Sequence, residues 1–198
     1  AEKPASAAKT LCIHIDLNEG LLSRRRDVVL PVNDGRVCCD PEQGVNIVSV
    51  TERHTGSGKT RSAFISGFDL KRGAIATSLS PDDDNIICIG ANPEDMACAI
   101  NRLAEIGGGQ VAVENQRVLA EIPLPLGGLM ADVSAEEMAK MEKKLNQAAQ
   151  QLGTHLQRPF FFLIFLSITA IPDYAMTDEG LVEHASRSVI SPILELMP

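Results

Sequence analysis

At 198 residues, 44% of them apolar, the chain is long enough for one sizeable core. It is too short for a complete (β/α)₈ barrel, which takes about 250 residues. A formal net charge of −8, with 18 Lys+Arg and no long basic run, argues against a nucleic-acid partner and against an anionic membrane surface.

Residues 1–23 read as a lead-in or linker, starting with an Ala-, Lys- and Ser-rich stretch that lacks the apolar core of a signal peptide. The domain proper is expected over 24–198. A strand is predicted at 28–32, a tight turn at Asn33-Asp34-Gly35 and a pairing strand at 36–39. Further strands are expected at 46–51, 62–68 and 74–79, the last two separated by a turn over 69–73. Residues 85–90 are nearly all apolar, as in a central strand. A helix then starts with Asn92 as cap, Pro93 in its first turn and Glu94 and Asp95 near its positive end, and Gly107 stops it. A hairpin follows, with Val111 and Val113 on one arm, and Val118, Ala120 and Ile122 on the other. Ser134 and Glu137 form a capping box for a second helix, which buries Met138, Met141, Leu145, Ala148 and Leu152 and ends at Gly153. Residues 160–166 are a buried strand or a short helix. The order gives an α+β fold, a mixed or mostly antiparallel sheet with helices packed on one side.

Motifs for chemistry are sparse. HTGSGKT (54–60) is not a P-loop, because Arg53 stands where the first glycine is needed and a strand follows instead of a helix. A hairpin turn fits it better. His14, His54, His155 and His184 form no metal-ligand pair, so no metal site is expected in this chain. The five cysteines (Cys12, Cys38, Cys39, Cys88, Cys98) form no even framework and no CxxC pair, which fits reduced thiols in a cytoplasmic protein. Asp82-Asp83-Asp84-Asn85 has two readings. It is either a solvated turn opened by Pro81, or a carboxylate group able to shift its own pKa values and bind amino groups. Lys71-Arg72 is likewise a charged hairpin tip or an anion site.

Several long stretches carry a resemblance: RRRDVVLPVNDGRV (24–37), TERH (51–54), GFDLKRGAIA (67–76), NIICIGANPEDMACAINRLAEIGGGQVAV (85–113), LAEIPLPLGGLM (119–130) and IPDYAMTDEGLV (171–182). Over roughly 24–183 the chain resembles the C-terminal domain of adenine deaminase, a metal-dependent amidohydrolase that converts adenine to hypoxanthine and ammonia. The family commonly has Ala-His-Asp-Ser-His-Asn where this chain has residues 80–85. Asp82 and Asn85 match, and Pro81 and Asp84 replace the two histidines.

The resemblance implies that this domain completes or covers the active site of a separate amidohydrolase barrel, which would be its partner. It also implies a purine base as substrate. The divalent metal, manganese or iron, would be in the barrel, with no cofactor in this chain. Arg53, His54, Lys71, Arg72, Asp82 and Asn85 are the residues expected to face the pocket. Two alternatives stand beside this reading. One is a non-catalytic module that binds purines by itself, and the other is a homodimerisation domain using the apolar run at 160–168.

Overall fold

The computed structural model describes residues 5–15 and 23–197. Ten strands form one large sheet in the order β3-β2-β1-β5-β4-β7-β6-β8-β9, with β13 also paired to β1, at Ala7 to Thr10, ahead of the stretch that meets β5. In chain order these are β1 (Ala7–Ile15), β2 (Ser23–Asn33), β3 (Arg36–Val37), β4 (Val45–Thr51), β5 (Thr60–Ser66), β6 (Ala74–Thr77), β7 (Ile86–Gly90), β8 (Gly109–Glu114), β9 (Arg117–Pro123) and β13 (Ile193–Met197). The smaller sheet holds β10 (Tyr174–Thr177), β11 (Gly180–Glu183) and β12 (Ser188–Ile190). Among the described residues β1 and β5 are the one parallel pair, so the fold is α+β with a mostly antiparallel sheet, as expected.

The helices, however, lie on both faces of the sheet rather than on one. Helix α1 (Pro93–Glu105) places Met96, Ala99 and Leu103 over Ala74, Ala76, Cys88 and Val111. Helices α2 (Ala135–Gln151) and α3 (Pro159–Leu163) pack Leu145, Ala149 and Phe160 against Ile75, Ile87 and Ile89 on the opposite face. Strand periodicity explains the split. Neighbouring residues of β6 and β7 point to opposite faces, and both faces are apolar, so each needs its own cover. Burying one large aliphatic side chain in this way contributes about 1.5–3 kcal/mol.

The lead-in reading of residues 1–23 needs correction where the structure describes them. Residues 7–15 form β1, which pairs with β2, β5 and β13 and buries Ala8, Leu11, Cys12 and Ile13. Its small residues look like linker composition, yet close packing on two faces selects for them. Residues 1–4 and 16–22 of that expectation lie outside the described residues.

Both helix starts follow the sequence. Asn92 Oδ1 accepts from the Asp95 amide at 2.8 Å, and Ser134 Oγ from the Glu137 amide at 3.2 Å. The buried Asp95 carboxylate also accepts from the Gln116 amide at 2.6 Å, which ties the β8–β9 turn to the start of α1. The apolar run at 160–168 is α3 and the turns after it. Phe160, Leu163 and Leu166 point into the core, and Phe161 is exposed. No helix among the described residues is long and apolar enough to cross a membrane.

Candidate functional site

Four of the six expected residues meet at one end of the large sheet, where β4 and β6 end and β7 begins. The β4–β5 hairpin supplies Arg53 and His54, and the β6–β7 loop supplies Asp82 and Asn85. Arg53 joins the two. Its amide donates to Asn85 Oδ1 at 3.3 Å, its Nε donates to the Asp84 carbonyl, and its Nη2 donates to the Gly127 carbonyl at 2.8 Å. One guanidinium thus holds the 81–85 loop and the 126–130 loop together, a use that suits its planar fork of donors. His54 Nε2 lies 2.7 Å from the Asp83 carbonyl and adds a second tie to the same loop.

The 81–85 loop is organised by Asp83, which sequence reasoning did not single out. Its Oδ1 accepts from Ser80 Oγ at 2.7 Å and from the Asn85 amide at 3.3 Å. Ser80 Oγ also meets Ser167 Oγ at 2.7 Å, anchoring the loop to the turns after α3. Asp82 and Asp84 have positive φ values of 83° and 49°, which aspartate tolerates better than most residues. Asn85 is only 4% exposed, and its side chain is taken up by Arg53 and Asp83. Asp82 is exposed and makes no hydrogen bond to a described residue. Asp83 and Asn85 thus build the turn, and Asp82 presents its side chain outward.

Lys71 and Arg72 are not in this cluster. They precede β6, and so lie at the opposite end of the sheet. Lys71 Nζ donates to the Pro41 carbonyl at 2.7 Å, and its amide to the Leu152 carbonyl at 2.8 Å. Arg72 donates to the Gln151 carbonyl and pairs with Glu114. The Arg72 guanidinium closes the C-terminus of α2, where exposed carbonyls and the helix dipole favour positive charge, and Lys71 reaches that end through its backbone amide alone.

Glu52 is the second residue that sequence reasoning passed over. Its Oε1 accepts from the Thr55 amide at 2.6 Å, and its Oε2 from Thr55 Oγ1 at 2.7 Å and from Ser57 Oγ. These bonds, led by that from the Ser57 hydroxyl, hold its carboxyl down to about 2 from an ordinary 4.5. A lowered folded-state pKa favours the ordered hairpin above pH 4.5, and the preference fades as pH falls from there toward 2. Protection of the Thr55 and Ser57 amides, read as exchange relative to the intrinsic rate at each pH, is therefore expected to fall over that window. In Glu52→Gln the protection should already be low at neutral pH and lose this acid dependence.

The rim of the cluster is apolar. Leu126 and Met130 exchange backbone hydrogen bonds at 3.2 and 3.3 Å across the loop that Arg53 grips, and they are 51% and 61% exposed. The cysteines stand away from any such chemistry. Burial pushes the Cys12 and Cys39 thiols up to about 11 and raises Cys88 as well, so these three are not ready thiolates.

Fold and site together define a class: an α+β domain that presents an outward carboxylate and an exposed apolar pair from loops clamped at one sheet end. The chain belongs to the adenine deaminase C-terminal domain family, whose model matches residues 20–188. It is 48% identical to adenine deaminase 4 of Rhizobium meliloti over 186 residues, which is 94% of this chain and 31% of that protein. It is 47% identical to adenine deaminase 1 of Desulfotalea psychrophila over 88% of this chain and 30% of the relative. With adenine deaminase 1 of Latilactobacillus sakei the identity is 40%, over 97% of this chain and 32% of the relative. The chain thus spans about a third of the length of these curated relatives.

Proposed function

We propose that this chain is the closing domain of an adenine-deaminase-type hydrolase, in which adenine and water give hypoxanthine and ammonia. The barrel that holds the reacting centre would come from the remaining two thirds of the length seen in the relatives. The observation that carries this reading is the Arg53 clamp. It draws two loops to one sheet end, one carrying the exposed Asp82 and the other the exposed Leu126 and Met130. A charged acceptor together with exposed apolar side chains suits a surface that packs over another domain and reaches a polar ligand between them.

In this reading Asp82 accepts a hydrogen bond from the amino group or a ring N–H of the base. Arg53, His54, Asp83 and Asn85 position it. Lys71 and Arg72 hold α2 and do not touch the base. In the same reading a divalent metal, manganese or iron, would be held by the barrel. The chemistry such a metal supplies is an activated water for attack at C6 of the purine. The part played by this chain is binding, orientation and exclusion of solvent.

The test is Asp82→Ala in the full-length protein. Asp82 is exposed and makes no hydrogen bond to a described residue, but its φ of 83° suits Ala less well than Asp, so stability should fall by no more than about 1 kcal/mol. Ammonia release from adenine should fall at least about tenfold in kcat/KM, as expected for loss of a charged hydrogen bond to the substrate. Unchanged kinetics would remove Asp82 from the site and the closing role with it.

A further inference from the structure

The turns after α3 reach the candidate site through one buried pair of hydroxyls. Ser80, which leads into the 81–85 loop, is 0% exposed, and Ser167 is 2% exposed. Their Oγ atoms lie 2.7 Å apart, and Ser80 Oγ donates to Asp83 Oδ1, also at 2.7 Å. A serine hydroxyl carries a single proton. Ser80 directs its proton at Asp83, so Ser167 must be the donor in the serine pair. The order is therefore Ser167 to Ser80 to Asp83, and hydrogen bonds that run in one direction along a buried chain strengthen one another.

The far end of this chain is set in the core. Ser167 follows Leu166, whose side chain is buried and whose carbonyl accepts from the Met176 amide at 2.8 Å. Met176 lies in the same buried cluster as Phe160, Leu163 and Leu166. The near end is the site loop. Asp83 Oδ1 also accepts from the Asn85 amide at 3.3 Å, the Asp84 amide donates to the Ser80 carbonyl at 2.7 Å, and Asn85 Oδ1 accepts from the Arg53 amide at 3.3 Å. Asp82 sits inside that turn at φ 83°, with no hydrogen bond of its own to a described residue. The residues on either side of it decide where its carboxylate lies, and the Ser80 hydroxyl holds one of them.

We infer that Ser167 is a positioning residue for the site, which fixes Asp82 by orienting the Ser80 hydroxyl toward Asp83. The inference rests on the closing role proposed above, in which Asp82 meets the base. Ser167 acts only through Ser80 and Asp83.

The experiment uses the full-length protein with Ser167→Ala, Ser80→Ala, the two combined, and Ser167→Ala in the Asp82→Ala background. Hydrogen exchange read by mass spectrometry follows the 81–86 segment, with the 93–105 segment of α1 as reference, and ammonia release gives kcat/KM for adenine. Ser167→Ala leaves the Ser80 bond to Asp83 possible but no longer directed. Exchange over 81–86 should rise about fivefold with the reference unchanged. The value of kcat/KM should fall about three- to tenfold, the size expected for one neutral hydrogen bond. Ser167→Ala should add nothing in the Ser80→Ala protein, and nothing to the kinetics of the Asp82→Ala protein, because residues acting in series are not additive. A merely structural serine would cost the same in every background. Wild-type exchange in Ser167→Ala would overturn the inference, as would an additive loss in either combination. Ser80→Ala indistinguishable from wild type would overturn it alone, since Ser167 then has no route to the loop, and this variant serves if Ser167→Ala does not fold. Impaired Asp82→Ala with unimpaired Ser167→Ala would overturn this inference and leave the closing role standing. Unimpaired Asp82→Ala would overturn both.

Discussion

Arg53→Met in the full-length protein should lower kcat/KM for adenine by about a hundredfold, with a loss of about 2 kcal/mol in stability. Both effects come from one side chain. Arg53 donates to the carbonyls of Asp84 and Gly127, which belong to loops joined to different strands. Hydrogen bonds from a charged donor are worth about 1.5–3 kcal/mol, and the half-exposed position keeps the total toward the lower end of what two bonds could give. The larger consequence is geometric. Without the guanidinium no hydrogen bond among the described residues ties the 81–85 loop to the 126–130 loop through a shared partner, and a displacement of about 1 Å at a binding group can cost about 10²-fold in rate. Arg53→Lys should recover little, because an ammonium cannot bridge both carbonyls through a planar fork. Urea unfolding reads the stability, ammonia release reads the rate, and amide exchange at Asp84 and Gly127 reads the loops. Wild-type kinetics together with loosened loops would show that the loops do not act in turnover.

How far the sequence carried the structure differs by feature, for physical reasons. Capping residues and period-3.6 spacing announced α1 and α2, and both start where Asn92 and Ser134 predict. Local hydrogen bonding sets those boundaries, so local sequence reveals them. The side of the sheet each helix takes is a long-range outcome. It depends on both faces of β6 and β7 being apolar, and a continuous apolar run cannot say which helix covers which face. Strand β1 was missed because Ala7, Ala8 and Lys9 look like linker until β2, β5 and β13 pair around them. The candidate site shows the same division. Arg53, His54, Asp82 and Asn85 are separated in sequence yet meet where β4, β6 and β7 converge. Lys71 and Arg72 sit nearer to Asp82 along the chain, but the four residues of β6 carry the loop away from them to the other end of the sheet. Glu52 and Asp83 gave no signal beyond being acidic residues in turns. Their roles exist only because the loops bend their own amides and hydroxyls around each carboxylate.

Gly108→Ala should be strongly destabilising, at about 3 kcal/mol. Gly108 sits at φ +115°, and a Cβ there would lie 2.5 Å from the Gly128 Cα and 2.8 Å from Ser78 Oγ. Backbone cannot yield as a flexible side chain can, so the 126–130 loop would have to move. That loop is held from the other side. The buried Ser78 Oγ donates to the Gly128 carbonyl at 2.6 Å and accepts from the Gly109 amide at 2.7 Å. Gly128 in turn packs against Arg53, with space for a Cβ only 2.6 Å from its Nη1. An unfavourable φ contributes about 1–2 kcal/mol and the forced shift about 1–3 kcal/mol. Gly107 provides the internal control. It has φ +76°, but a Cβ there would meet nothing within 4 Å, so Gly107→Ala should cost about 1 kcal/mol from backbone strain alone. Equal losses for the two variants in urea unfolding would mean that the loop has room to retreat, and that its contact with Ser78 and Arg53 is loose. A larger loss at Gly108, accompanied by faster amide exchange at Gly127 and Gly128, would show that the packing of the glycines fixes where Arg53 can reach. The position of the Asp82 carboxylate would then depend on a backbone contact in a different loop, between residues that carry no side chain at all.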